Sequence, residues 1–537
     1  MRLSKLTFEG RSSDVTAISP DGKYIAYVLK TEGKQAMMVR QVGLDGVAEI
    51  MPPADVDYNG ISFSPNGNSI YYTSAKNDAA NDLYEIPVLG GSPRKILSDI
   101  GAFFAFSPDG QKLAYIISQT SIMISGIKGE SPQLLATVKP GNITTRLTWR
   151  PDGKAILADV FGAGERAFLS EFNLADGSEK QIPTPAWNRI NGLRFLADGS
   201  GIILAGRDFD TQFSQIWFIS YPDGKVKRIT NDLNTYFDLS LTADNKSLVT
   251  AKEERLFNVW TVPDGKTEKT KKITFDEGKD EGIGGVTQTN DGKIVYTVRK
   301  AGLFNLWIVN ADGSDNHQLI FNEESVGAPI ASPNDNFIVF ISISPKGTNL
   351  WRVNTDGTNL AILKDTPDLT ESSPNFSPDG KWVFYAQKDA KKLSTIWKIN
   401  PATSESVQLT DFESSYPVVS PDGKTFACEY IPNPNEREKI AIIPIEGGKP
   451  IKTFDFPAIV KTRLFRWSSD GKSLIYIDRT SQTHNLWEQP LDGSPPKQLT
   501  FFESGQIWKF ELAKDGKSFI LSRGNESSDV LMISDFK

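Results

Sequence analysis

Ser19-Pro20-Asp21-Gly22, leading through Lys23 into the apolar run Tyr24-Ile25-Ala26-Tyr27, is a hairpin signature that this chain repeats from end to end. It returns at Ser64-Pro65-Asn66-Gly67, Ser107-Pro108-Asp109-Gly110, Arg150-Pro151-Asp152-Gly153, Leu196-Ala197-Asp198-Gly199 and Thr242-Ala243-Asp244-Asn245. It then continues through Thr289-Asn290-Asp291-Gly292, Ser332-Pro333-Asn334-Asp335, Ser377-Pro378-Asp379-Gly380, Ser420-Pro421-Asp422-Gly423, Ser469-Asp470-Gly471 and Lys514-Asp515-Gly516. These are twelve turns, 43 to 48 residues apart. Proline presets φ at the second position, aspartate is tolerated at the third, and the fourth must take φ > 0. That fourth residue is glycine ten times, Asn245 once and Asp335 once, the types that reach the left-handed region at least cost.

Each turn is followed by a short apolar run such as Leu113-Ala114-Tyr115-Ile116, Trp382-Val383-Phe384-Tyr385 or Leu474-Ile475-Tyr476-Ile477, the pattern of a strand buried on both faces. A variable loop and a third strand come next, often with tryptophan: Gln215-Ile216-Trp217, Asn305-Leu306-Trp307, Asn349-Leu350-Trp351, Thr395-Ile396-Trp397, Asn485-Leu486-Trp487. Because the tryptophan recurs at one place in the pattern, it is expected to pack between neighbouring units. A tight Asp-Gly turn (Asp312-Gly313, Asp356-Gly357, Asp492-Gly493) and a fourth strand such as Lys497-Gln498-Leu499-Thr500 complete the unit. Four antiparallel strands in about 45 residues, repeated, are the signature of propeller blades. The fold class expected is therefore all-β: tandem β-propellers with twelve four-stranded blades.

A single ring of twelve would leave an open centre, since propellers usually close with four to eight blades. Leu6-Thr7-Phe8 stands as a closing strand ahead of any first strand, and Lys272-Ile273-Thr274-Phe275-Asp276-Glu277 looks like a second copy. Splitting there gives a six-bladed ring over 1–263, a linker over 264–271 and a second six-bladed ring over 272–537. The alternative, in which each closing strand serves the other ring, needs two crossings between rings.

Composition bounds the function. The 537 residues are 39% hydrophobic and 23% charged, ordinary for a folded chain. A net charge of −7 and a pI near 5.3 argue against nucleic acid, and the densest basic run, Lys266 to Lys272, falls in the expected linker. The single cysteine, Cys428, excludes an internal disulfide and any cysteine-based zinc site; it is expected to be buried. No run of 18 apolar residues and no leader is seen, so no membrane insertion by the chain itself is expected.

The repeats resemble the WD40-like repeat of the TolB-type β-propeller family, over essentially the whole chain. The tail, Ile520-Leu521-Ser522-Arg523-Gly524 and Ser528 to Lys537, looks like the end of the double-propeller sensor region of bacterial membrane Ser/Thr kinases or winged-helix regulators. That resemblance implies a periplasmic or extracytoplasmic sensor or interaction module recognising a protein, peptide or envelope ligand, with a protein or peptide partner expected. The N-terminal α/β domain of TolB and the kinase elements are not in this sequence.

Chemistry is sparse. Only His317 and His484 are present, too few for a three-histidine metal site, and both are expected in exposed turns. There is no Gly-x-Ser-x-Gly elbow. Asp276 to Glu281 lacks the alternation of a calcium loop, and no cofactor or metal is expected. The expectation is a non-catalytic binding scaffold, not an enzyme; the alternative is a hydrolase or lyase acting on a saccharide or peptide in a propeller channel, where any two of the 66 acids could meet. Variable loops on a rigid scaffold carry recognition, so the ligand-binding candidates are Arg166, Arg207, Asp208, Asp232, Tyr236, Glu413, Tyr416, Glu503, Gln506 and Trp508.

Overall fold

In the computed structural model, the described residues are 1–31, 33–76, 79–162, 166–209, 211, 213–275, 280–300, 303–321, 324–344, 347–364, 369–388, 393–433, 438–454 and 464–536. The chain is all-β. Most of the run 276–281 lies outside the described residues.

The turns have the expected chemistry. The Gly22 amide donates to the Ser19 carbonyl at 2.9 Å, the Ser19 hydroxyl donates to Asp21 at 2.7 Å, and the amides of Lys23 and Tyr24 donate to Asp21 and to the Ser19 oxygen. The Ser19 hydroxyl, then the Lys23 amide, hold the Asp21 carboxyl down at about 2. Gly22, Gly110, Gly380 and Gly516 have φ of 74°, 69°, 70° and 67°, and Asn245 has 55°. Asp335 departs from the expectation. It is not among the residues with positive φ, and its amide donates instead to the Ser332 hydroxyl at 3.1 Å.

Each turn joins two neighbouring antiparallel strands, in most cases the first two of a four-stranded sheet, as in Leu147–Trp149, Ala155–Gly162, Arg166–Asn173 and Glu179–Gln181. Eight sheets of this kind stand alone among the described residues. Two more, beginning at Ser325–Ala331 and Thr370–Phe376, are joined through one parallel pair, Thr348 with Thr370. The recurrent Leu/Ile-Thr of the fourth strand also has a physical reason. Its buried hydroxyl accepts from the amide at the start of the third strand: Thr230 from Ile216, Thr274 from Val259, Thr410 from Ile396 and Thr500 from Leu486, all at 2.8–2.9 Å.

The core lies between consecutive sheets. Phe337, Val339 and Leu350 of one sheet, for example, pack on Phe376, Val383 and Tyr385 of the next. Trp217, Trp307, Trp351, Trp397 and Trp487 all join such clusters, as their periodicity predicts. Cys428 is buried, and burial pushes its thiol pKa up.

The chain forms two compact units, Met1–Glu254 with Glu526–Lys537, and Arg255–Asn525. This division differs from the expected 1–263 and 272–537, because the strands Ser247–Val262 and Phe519–Ser534 each contribute residues to both units. In the first unit, Thr235–Leu241 pairs with the start of Ser247–Val262, and Arg2–Lys5 pairs with Leu531 to Ser534. In the second, Gln506–Leu512 pairs with the start of Phe519–Ser534, and Lys271–Lys272 pairs with Trp260 and Thr261. The N-terminal edge strand is Arg2–Lys5 and not the expected Leu6-Thr7-Phe8, although the Leu6 amide still donates to the Val530 carbonyl at 2.8 Å. Its partner comes from the C-terminal end of the chain.

Candidate functional site

Counting seven residues back from the fourth turn position picks one residue from each sheet-opening segment of the second unit: Gly285, Ala328, Ser373, Tyr416, Leu464 and Lys509. All six line one cavity of about 80 Å³. Register shifts between Gly327 and Ile330, Ser372 and Asn375, and Ser415 and Val418 push extra residues out of the ladder there, with a further shift between Ile507 and Lys509. Ala328, Ser373 and Tyr416 sit in these bulges at φ of 47°, 55° and 54°, each followed by a proline. Bulges re-aim side chains and leave backbone groups unpaired, and non-glycine residues at positive φ cost about 1–3 kcal/mol each. Three of the chain's non-glycine positive-φ residues thus stand on the cavity wall.

Lys509 is the one charged residue of these six. No described residue gives its ammonium a hydrogen bond or ion pair. The nearby carboxylate, Glu511, is engaged by Arg466, whose Nε donates to it at 2.9 Å while Nη1 donates to the Phe465 carbonyl at 2.9 Å. Burial first, then the neighbouring Arg466 and Arg479, push the Lys509 pKa down to about 8. The corresponding residues of the first unit are Val15, Gly60, Phe103, Arg146, Gly192 and Asp238, and there the charges are engaged internally. Arg146 stacks 3.8 Å from the Phe103 ring centroid and donates Nε to the Ile190 carbonyl at 3.2 Å. Asp238 faces Arg194 at 3.5 Å.

A second, larger cavity of the second unit, about 380 Å³, lies beside the turn ends, lined by Gln288, Asn290, Lys514 and Asp515 among others. Its cation is engaged: the Lys514 amide donates to Gln288 at 3.0 Å and its ammonium to Asn290.

The structure distributes the sequence-derived candidates among several places. In the first unit, Arg166 is exposed with its guanidinium 5.6 Å from the Phe209 ring. Arg207 donates Nε to Asn188 at 2.9 Å, its pKa lowered by burial and then by Arg189. Asp208 pairs with Arg228 at 2.7 Å and accepts from Thr211. Tyr236 is buried and donates its hydroxyl to Asp232 at 2.8 Å; burial, then that carboxylate, raise its pKa. In the second unit, Glu413 accepts from the Ser394 amide at 3.1 Å, so its carboxylate fixes a strand start. Glu503 is exposed, and Gln506 opens the strand Gln506–Leu512. The Trp508 ring has the guanidinium groups of Arg255 at 5.2 Å and Arg479 at 5.5 Å and is edge-on to Phe257. Of the ten, Tyr416 alone lines the 80 Å³ cavity. Lys509 and Arg466 were missed because they lie on strands, although the constant offset from the turn would have found Lys509. His317 is exposed as expected. His484 is half-buried instead, its Nδ1 3.1 Å from the Ile507 carbonyl, and burial lowers its pKa.

No family model matches the chain. It is 25% identical over 191 residues to dipeptidyl-peptidase 5 of Trichophyton equinum, which is 34% of this chain and 25% of that protein. It is 24% identical over 230 residues to the uncharacterized peptidase YuxL of Bacillus subtilis, 40% of this chain and 31% of that protein. The chain therefore spans about a quarter to a third of the length of the curated relatives it matches. Among solved structures it is similar to a protein assigned as TolB from Agrobacterium tumefaciens, at 17% identity over 54% of this chain and 88% of that one, with a TM-score of 0.22. The relatives named as peptidases overturn the expectation of a non-catalytic scaffold that is not an enzyme. That expectation rested on missing motifs, and a shortage of histidine does not identify a function class; the chain is similar in sequence to peptidases.

Proposed function

We propose that the chain folds as two six-bladed β-propellers, twelve blades in all, that serve a peptide hydrolase, and that the second propeller holds peptide in its central cavity. The ring reading is supported by the core. In the first unit, clusters join each sheet to the next, and a last cluster packs Ile18, Ile25 and Tyr27 of the first sheet on Val249 and Val530 of the final one. In the second, Val259 and Ile520 close on Val286, Ile294 and Tyr296 in the same way. Six sheets packed in a closed cycle form a propeller.

The observation that carries the hydrolase reading is the sequence similarity to two proteins named as peptidases. It favours peptide over saccharide as the substrate. The cavity suits a small terminal or side-chain group of a peptide, since it is only about 80 Å³ and its wall is made of bulged strand edges whose backbone groups lie outside the ladder. Two readouts on the purified chain test the proposal. Peptidyl-coumarylamides of two to four residues are expected to release fluorophore above the buffer rate, and labelled peptides are expected to raise fluorescence polarisation. No release from any member of the panel would overturn the hydrolase, and no polarisation change would overturn the chamber.

A further inference from the structure

An uncompensated cation in a small cavity is costly. The Lys509 side chain stands on a wall whose five matching residues are uncharged, and Arg466 has already taken the adjacent carboxylate of Glu511. A half-buried lysine facing a cavity with no hydrogen-bond or ion-pair partner among the described residues is disfavoured in its charged form, and the two neighbouring guanidiniums add to the positive potential. The same position in the first unit shows another solution, with Asp238 facing Arg194 and Arg146 stacked on Phe103. In the second unit no described residue pairs with the charge. Its cavity of about 80 Å³ is well below the ~300–1,000 Å³ of drug-sized pockets, so it has room for a small group at the end of a chain. Ser373 and Tyr416 add hydroxyl-bearing side chains to the same wall.

We infer that the cavity of the second unit is a carboxylate-binding site in which the Lys509 ammonium is the counter-ion, giving the peptide chamber a preference for substrates that present a carboxylate there. The carboxylate class is argued from the cavity itself; that a peptide carries it rests on the reading above. Two sources supply this chemistry, the free C-terminus of a peptide and an aspartate or glutamate side chain.

Three labelled hexapeptides of otherwise identical sequence separate them: one amidated and neutral, one amidated with an internal glutamate, and one neutral with a free C-terminus. The wild-type protein is expected to bind at least one carboxylate-bearing peptide ten-fold or more tighter than the neutral one, and the tighter of the two identifies the source. Lys509→Met is expected to remove that preference and Lys509→Arg to keep most of it, with the circular dichroism of both unchanged. Equal affinity for all three peptides, or a preference that survives in Lys509→Met, would overturn the site. A second measurement is independent of peptides: propionate is expected to slow trinitrophenylation of Lys509, read by mass spectrometry, with no effect on exposed lysines such as Lys472. Peptide binding that fails while propionate protects would overturn the chamber and keep the carboxylate site; no protection would overturn the site itself.

Discussion

Thr500 illustrates how single residues hold this chain together. Its hydroxyl accepts from the buried Leu486 amide at 2.8 Å, and Thr500→Val keeps the shape while leaving that donor unsatisfied, which costs about 1–3 kcal/mol. The denaturation midpoint should fall with the m-value unchanged, and Thr500→Ser should recover most of the loss. Lys509 behaves oppositely. It releases its proton near pH 8 in the folded chain and near 10.5 when unfolded, so between these values the unfolded state binds more protons and stability rises with pH. Lys509→Met is therefore expected to be more stable than the wild type at pH 7, and its advantage should shrink from pH 8 to 10.5; paired urea titrations at pH 7 and 10 measure it. The threonine was visible in the sequence as the end of a repeated strand, while its role as an acceptor was not, because the amide it serves lies 14 residues away.

At the scale of the element, the turns were the most legible part of the chain, since proline and glycine act through local sterics alone. Their exceptions are the sharper test. Asn245 is left-handed, so Asn245→Gly should change stability by a few tenths of a kcal/mol at most, whereas Asn245→Val should cost about 1–2 kcal/mol. Asp335 is not left-handed, so Asp335→Gly should cost about 0.5–1 kcal/mol through the unfolded chain; thermal melts of the three variants check the set. The bulges that shape the cavity were not legible. A bulge is defined by the register against the partner strand, and its only mark in the sequence is a proline, Pro329, Pro374 or Pro417, where an innermost strand should have none.

For the whole molecule, the number of repeats follows from counting turns, but the partner of each closing strand does not. Strand pairing between the two ends of a 537-residue chain has no local signature. Val530, Leu531, Ile533 and Phe536 are buried in the first unit, each contributing about 1.5–3 kcal/mol. Deleting residues 526–537 should therefore abolish hydrogen-exchange protection in Arg2–Lys5 and Thr235–Leu241, while Val383–Lys388 of the second unit stays protected. Function was the least legible, because the candidate site is a level of a cavity assembled from six separated segments and not a motif. The most direct measurement is a crystal structure of the protein grown with a saturating peptide that has a free C-terminus. Peptide is expected in the cavity of the second unit, between Tyr416 and Lys509, with a carboxylate on the lysine ammonium. Peptide seated instead on the Arg207 and Asp208 loop, with that cavity empty, would contradict it.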